Sequence, residues 1–385
     1  MKTPRRLTAV ALSATLFAAG CQGAGGSSSV GPSLTPGSGA LDLATVCPAT
    51  VVIQAAWTPE AEHGALYHLL GETYTVDGAA KKVSGPLVAQ GKDTGVKVEV
   101  RAGGPAIGFQ NAGAQMYADP SIMLGQVATD DAIGLSAKQP VIAVAAPFDL
   151  APYMIMWDPA INPNFNSIVD IGKTNTKVLY FNGATYMDFL TGSGILKKNQ
   201  IDGSYDGSPG RFVAEGNLVQ QGFATNEVYK YENDIADWMK PVEFLLNHDS
   251  GFDIYQSALS VRPETLTEYG DCLAALVPIF QQAQVDYVTD PGAMNERFVE
   301  IVTELDTFWQ LSTELNDDAV QRMLDLELVS DAGNETLGDF DCERVDALIE
   351  KLRPVFEAKG VTIPADTACD DVVTNEFIDE SISLG

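Results

Sequence analysis

Between Val46 and Phe148 the chain repeatedly sets a short apolar run against a stretch of helical spacing, and this alternation narrows the possible folds more than any other feature. VCPATVVIQAAW (Val46 to Trp57) is a β-rich apolar run, and the following AEHGALYHLL (Ala61 to Leu70) places apolar residues at helical intervals. VKVEVRAGGP (Val96 to Pro105) alternates with period two and halts at Gly-Gly-Pro, while SIMLGQVATD (Ser121 to Asp130) and PVIAVAAPF (Pro140 to Phe148) read as buried strands. Strands alternating with short helices predict an α/β fold whose sheet is parallel and covered on both faces.

A second set begins near Tyr153. KVLYFNG (Lys177 to Gly183) reads as a strand, TYMDFLTGSGI (Thr185 to Ile195) as a short helix, and GNLVQQGFATNE (Gly216 to Glu227) as a turn and strand. The pattern predicts a smaller lobe over 151–244, inserted into a first lobe made of 46–150 and 245–385. From Pro263 onward LTEYGDCLAALVPIFQQAQVDYV, MNERFVEIVTELDTFWQL and CERVDALIEKLRPVFEAKG are amphipathic helices expected to pack on the first lobe and the hinge. A chain of 385 residues, 45% hydrophobic, supplies enough apolar material for two such lobes.

The first residues carry an address. A basic start (Lys2, Arg5, Arg6) precedes an apolar tract from Leu7 that is too short to span a bilayer, so 1–20 is expected to be a signal peptide. Ala18, Ala19 and Gly20 leading into Cys21 resemble a bacterial lipobox, although Ala18 stands where a leucine is usual. Cys21 is then the expected lipid acceptor, and 21–45, mostly Gly, Ser, Pro and Ala as far as Ala40, a flexible lipidated linker. The address implies an extracytoplasmic protein attached to the cell membrane through its lipid.

The formal charge is −29, and −32 once the three cationic residues leave with the signal. Such a surface excludes nucleic acid as a partner and repels anionic headgroups, so attachment must come from the lipid itself. Cys47, Cys272, Cys342 and Cys369 remain, an even number suited to two disulfides in an oxidising compartment. Three connectivities are possible; the short loop between Cys342 and Cys369 favours that pair, leaving Cys47 with Cys272. No Cys/His cluster has metal-ligand spacing, and neither metal nor cofactor is expected.

In α/β sheets ligands collect at the carboxyl ends of strands. Those ends carry Trp57, Glu60, Glu62, His63, Asp130, Phe148, Tyr153, Tyr186, Glu227 and Tyr229, a set rich in aromatic rings and carboxylates. Rings stack on flat solutes, and carboxylates accept hydrogen bonds from ring amines and amidines, so a nitrogen-bearing aromatic heterocycle suits the lining. The turn at Gly103 and Gly104 offers backbone amides to an anion. Catalysis has little to draw on: only His63, His68 and His248 are present, and no GxSxG, HExxH, P-loop or GxGxxG stands in a suitable context.

VVIQAAWTPEAEHGALYHLLG, together with VEVRAGGP, VATDDA and GFATNEVY, resembles the solute-binding lipoproteins of ABC importers that handle thiamine-pyrimidine precursors, riboflavin and, more distantly, sulfonates and nitrate. The resemblance runs from Val51 to Leu384. It implies a type II periplasmic-binding-protein fold, two α/β lobes joined by crossings near Phe148 to Pro152 and Phe244 to Asp249. It also implies a monomer that serves an ABC permease and is not an enzyme. On these segments Trp57 matches a ring-stacking aromatic and Glu227 a carboxylate that meets the heterocycle from the opposite lobe. Tyr229 and Asp130 occupy neighbouring matching segments. Glu60, His63, Gly104, Phe148 and Tyr186 complete the expected contacts. A riboflavin-type solute would draw on Asn182, Asn226 and Gln110 for its hydroxyls; a sulfonate or nitrate would want basic groups, which the set lacks. The same fold family includes fungal pyrimidine synthases, but VATDDA lacks their histidine and no cysteine-rich motif is present.

Overall fold

The computed structural model describes residues 34–385, so the expected signal peptide and Cys21 lie outside the described residues. TVVIQ forms the strand Thr50–Gln54, buried from Val51 onward. It lies parallel to Lys92–Arg101 on one side and Leu124–Val127 on the other. Beyond Leu124–Val127 the sheet continues through Ala258–Val261 to Ile142–Ala145, and the inserted strand runs antiparallel to both neighbours. On the opposite flank, Thr75–Asp77 and Lys82–Ala89 add a hairpin antiparallel to Lys92–Arg101. The sheet is therefore mixed and not parallel as the alternation suggested. A hairpin needs no crossover helix, and Ala258–Val261 arrives from the other sheet instead of through a βαβ turn.

The second sheet has the order Ile201–Asp202, Val178–Leu179, Val219–Phe223, Tyr153–Trp157, Glu243–Leu246. Its first three strands are parallel, while Tyr153–Trp157 opposes both strands beside it. Two crossings join the sheets, 146–152 and 247–257. The second lies further along than expected, because Phe244, Leu245 and Leu246 still pair with Met156, Ile155 and Met154.

One side chain holds both crossings. Arg344, in the first turn of the helix Cys342–Ala358, lies 2.8 Å from the Asp149 carboxylate and 2.6 Å from that of Asp253. Its guanidinium also donates to the carbonyl oxygens of Asp149 (2.6 Å) and Ile254 (3.0 Å) and sits 3.9 Å over the Tyr255 ring. Asp341 caps this helix by accepting from the amides of Glu343 and Arg344, which fixes the turn that presents the arginine.

The helix Gly270–Thr289 packs along Gly64–His68, where Gly64 touches the Tyr287 ring so closely that a β-carbon would collide with it. Phe298 from Gly292–Leu305 meets Tyr67 edge-on at 5.2 Å, an arrangement contributing about 0.5 to 1.5 kcal/mol beyond area burial. The helical run expected to reach Leu311 stops at Leu305 because Asp306 turns left-handed, at φ 49°. Residues 306–312 are thereby released as a loop. Disulfides join Cys47 to Cys272 (Cα–Cα 4.7 Å) and Cys342 to Cys369 (5.4 Å). Among the described residues no helix is long and apolar enough to cross a membrane.

Candidate ligand-binding cleft

Loops from the two sheets converge on a cleft of about 380 Å³, in the lower part of the ~300–1,000 Å³ usual for small-molecule sites. On the side of the larger sheet, Thr50–Gln54 leads directly to Trp57. Gly104 backs the indole: its φ is +56°, and a β-carbon there would lie 2.6 Å from the ring, so this left-handed turn and the ring's position require each other. Phe109 tilts against Trp57 at 5.8 Å and Trp309, from the 306–312 loop, meets it edge-on at 6.1 Å.

The smaller sheet supplies the facing wall. Glu227 folds back to accept the Phe223 amide at 2.7 Å. The bare Cα of Gly222 makes room, since a β-carbon there would come within 3.1 Å of the Glu227 side chain. Gln221 accepts from the Tyr186 hydroxyl at 2.5 Å and the Phe181 amide at 2.6 Å, and Tyr153 lies 5.2 Å from Tyr186 and 4.7 Å from Phe223. These bonds lock the aromatic wall before any solute arrives.

Six carboxyl side chains line the cleft (Glu60, Glu62, Asp130, Asp131, Asp206 and Glu227), with no Lys or Arg among the lining residues. Five of them form two corners. In one, burial raises the pKa values of Glu60, Glu62 and Glu227, and the charge of Glu62 lifts Glu60 further. Glu62 accepts the Thr225 hydroxyl from across the cleft. Lys230 opposes the rise: its ammonium stands 3.9 Å over the Trp309 ring, and although burial depresses its pKa, Glu227 and Glu60 counter the depression. The other corner holds Asp130, raised to about 6 by burial, and Asp131, which stays exposed to solvent and whose pKa partial desolvation and the charge of Asp130 raise. Asp130 Oδ1 and Gln256 Oε1 are buried acceptors without a hydrogen-bond partner. His63 adds no positive charge, because burial lowers its pKa to about 4.

The structure brings Trp57, Glu60, His63, Asp130, Phe148, Tyr186 and Glu227 to this one cleft. Two expected contacts are elsewhere. Gly104 packs behind Trp57. Tyr229 follows Glu227 by two residues on the helix Glu227–Asn233, so it faces the opposite way, toward Asp234, Glu314 and Asp318. Asp131, Gln221, Gln256, Phe109, Phe308 and Trp309, which are absent from the expected contacts, also line the cleft. Of the amides considered for a ribityl chain, Gln110 and Asn226 line it and Asn182 does not.

A wall of fixed rings facing carboxylates and amide oxygens can hold a flat solute and accept hydrogen bonds from its donors. No protein-family profile matches the sequence, and no curated protein matches it significantly. Solved structures do resemble it. The ligand-binding component of an ABC-type import system from Staphylococcus aureus, solved with zinc bound, is 12% identical with a TM-score of 0.50, over 88% of this chain and 100% of that one. The periplasmic aliphatic sulphonate binding protein of Escherichia coli is 12% identical with a TM-score of 0.52, over 85% and 92%. The periplasmic nitrate-binding protein of Synechocystis PCC 6803 is 13% identical with a TM-score of 0.50, over 86% and 87%. The chain has the type II periplasmic-binding-protein fold. In that fold the two sheets are the cores of two lobes, and the cleft lies between them.

Proposed function

We propose that this protein is the extracytoplasmic solute-binding component of an ABC-type importer, held at the membrane through Cys21 and working as a monomer beside its permease. Its solute is a small nitrogen-bearing aromatic heterocycle of the thiamine-pyrimidine-precursor kind, captured between the lobes. The observation that carries this reading is the lining of the cleft: Trp57, Phe109, Tyr153 and Tyr186 offer ring faces, while Glu60, Asp130, Glu227 and Gln256 offer acceptors. Trp57 and Glu227 belong to different lobes, so a solute touching both binds the closed arrangement with more contacts than an open one, which is what drives closure. No metal, cofactor or catalytic step enters the proposal.

The neighbours that bind sulphonate and nitrate suggest an anion, but an anion here would face six carboxyl groups with no Lys or Arg among the lining residues. A thermal-shift panel of aminopyrimidines, thiamine, riboflavin, taurine and nitrate tests the reading. An aminopyrimidine or thiamine should raise the melting temperature while taurine and nitrate leave it unchanged; a response to the anions alone would refute it. Trp57→Ala should weaken the responding heterocycle by about 1 to 3 kcal/mol.

A further inference from the structure

We infer that the cleft receives its solute as an organic cation, with a protonated amine, amidine or ring nitrogen seated against Asp130 and Asp131. This rests on the cleft being the solute site and narrows the class of solute. Charge balance is the first support. The Glu60 corner has Lys230 as its own counter-charge, whereas the basic side chain that bears on Asp130, Lys359, is paired with Asp188 at 2.7 Å.

Unmet hydrogen bonding is the second support. Asp130 Oδ1 and Gln256 Oε1 belong to side chains that are each 7% exposed, line the cleft, and have no donor. Buried acceptors of this kind are destabilising unless a donor reaches them, and a group with several N–H bonds reaches both. The third is the surrounding lining: the aromatic face of Tyr153, which feels the charges of Asp130 and Asp131, attracts a cation beside it.

A cation at this corner stabilises the ionised carboxylates, so binding below the raised carboxyl range must expel a proton. Affinity for a permanently protonated probe therefore rises with pH. The groups facing the pair are Tyr153, Lys359 with its partner Asp188, and the neutral Thr185, Asn111 and Gln256.

Calorimetric titration of the purified full chain with benzamidine against benzamide, and with 4-aminopyridine against 4-methylpyridine, compares cationic and neutral partners of one shape. The cation should bind about tenfold tighter or more in each pair. Benzamidine affinity should fall about tenfold between about pH 7.5 and about pH 5, and Asp130→Asn with Asp131→Asn should abolish both effects. Circular dichroism would verify the variant's fold, and the ligand pairs need no variant at all. Equal affinity within the pairs overturns the inference and leaves the heterocycle reading intact. Binding of putrescine without any aromatic probe supports the inference and refutes the heterocycle. If none of the probes binds, both are wrong.

Discussion

The two acidic corners of the cleft are built from the same side-chain chemistry and do different work. At the Glu60 corner three glutamates share space with Lys230, and Glu62 reaches across to Thr225 of the other lobe. There Glu62 and Glu227 are bonded to Thr225 and the Phe223 amide, Lys230 opposes their charge, and the Thr225 contact joins the lobes. At the Asp130 corner two adjacent aspartates sit without an internal cation, one carrying an unmet acceptor. The difference teaches that negative charge in a cleft is informative only after the protein's own positive charge has been assigned. One corner closes the cleft, and the other is left for the solute.

The strongest challenge to this division is to neutralise each corner in turn. Asp130→Asn with Asp131→Asn should weaken benzamidine about 100-fold, whereas Glu60→Gln should change it by no more than about threefold; similar losses would erase the distinction. Removing the cross-cleft bond comes next. Thr225→Val leaves the buried Glu62 carboxyl without its cross-cleft donor and should weaken any solute by about tenfold in titration. A smaller effect follows from Lys230→Gln, which strips the Glu60 corner of its counter-charge: a cationic solute should gain about threefold in affinity as it finds a second anionic seat. An unchanged affinity would show that Lys230 does not set the difference.

The least effect is on stability, and its sign is fixed by the direction of the shift. Asp130 has a folded pKa of about 6, above the unfolded value of about 3.9. The folded state therefore holds the proton more tightly, so this group's contribution is full below about pH 4 and is lost as pH rises through about 6. Without solute, Asp130→Asn should match the parent's melting temperature near pH 4 and exceed it by a few degrees near pH 7.5. His63 slopes the opposite way, since its depressed pKa makes folding less favourable as pH falls, but it is present in both proteins and cancels in the comparison.

Strand ends were readable because buried runs must stop at turns, and Trp57, Asp130 and Glu227 all follow directly from that logic. Tyr229 failed on a periodicity already visible in the sequence, because residues two apart on a helix do not share a face. Trp309 failed for a different reason. MNERFVEIVTELDTFWQL keeps helical spacing to its end, and nothing local announces that Asp306 adopts φ 49° and breaks it. The mixed sheet was hidden because strand direction is set by where the chain comes from and not by the residues of the strand. Ala258–Val261 is apolar like its neighbours, yet it enters from the other lobe.

The bond between Cys47 and Cys272 has a mechanical side. It stands three residues before the strand Thr50–Gln54, which leads to Trp57, and its other end lies near the start of the helix Gly270–Thr289. A pull on the chain ahead of Cys47 can leave the backbone at that sulfur and pass into the longest helix of the described body. Thr35–Pro36, paired with Lys92–Asp93, meets such a pull first, and the cross-link then shares what reaches Cys47 between that helix and the strand that leads to the indole.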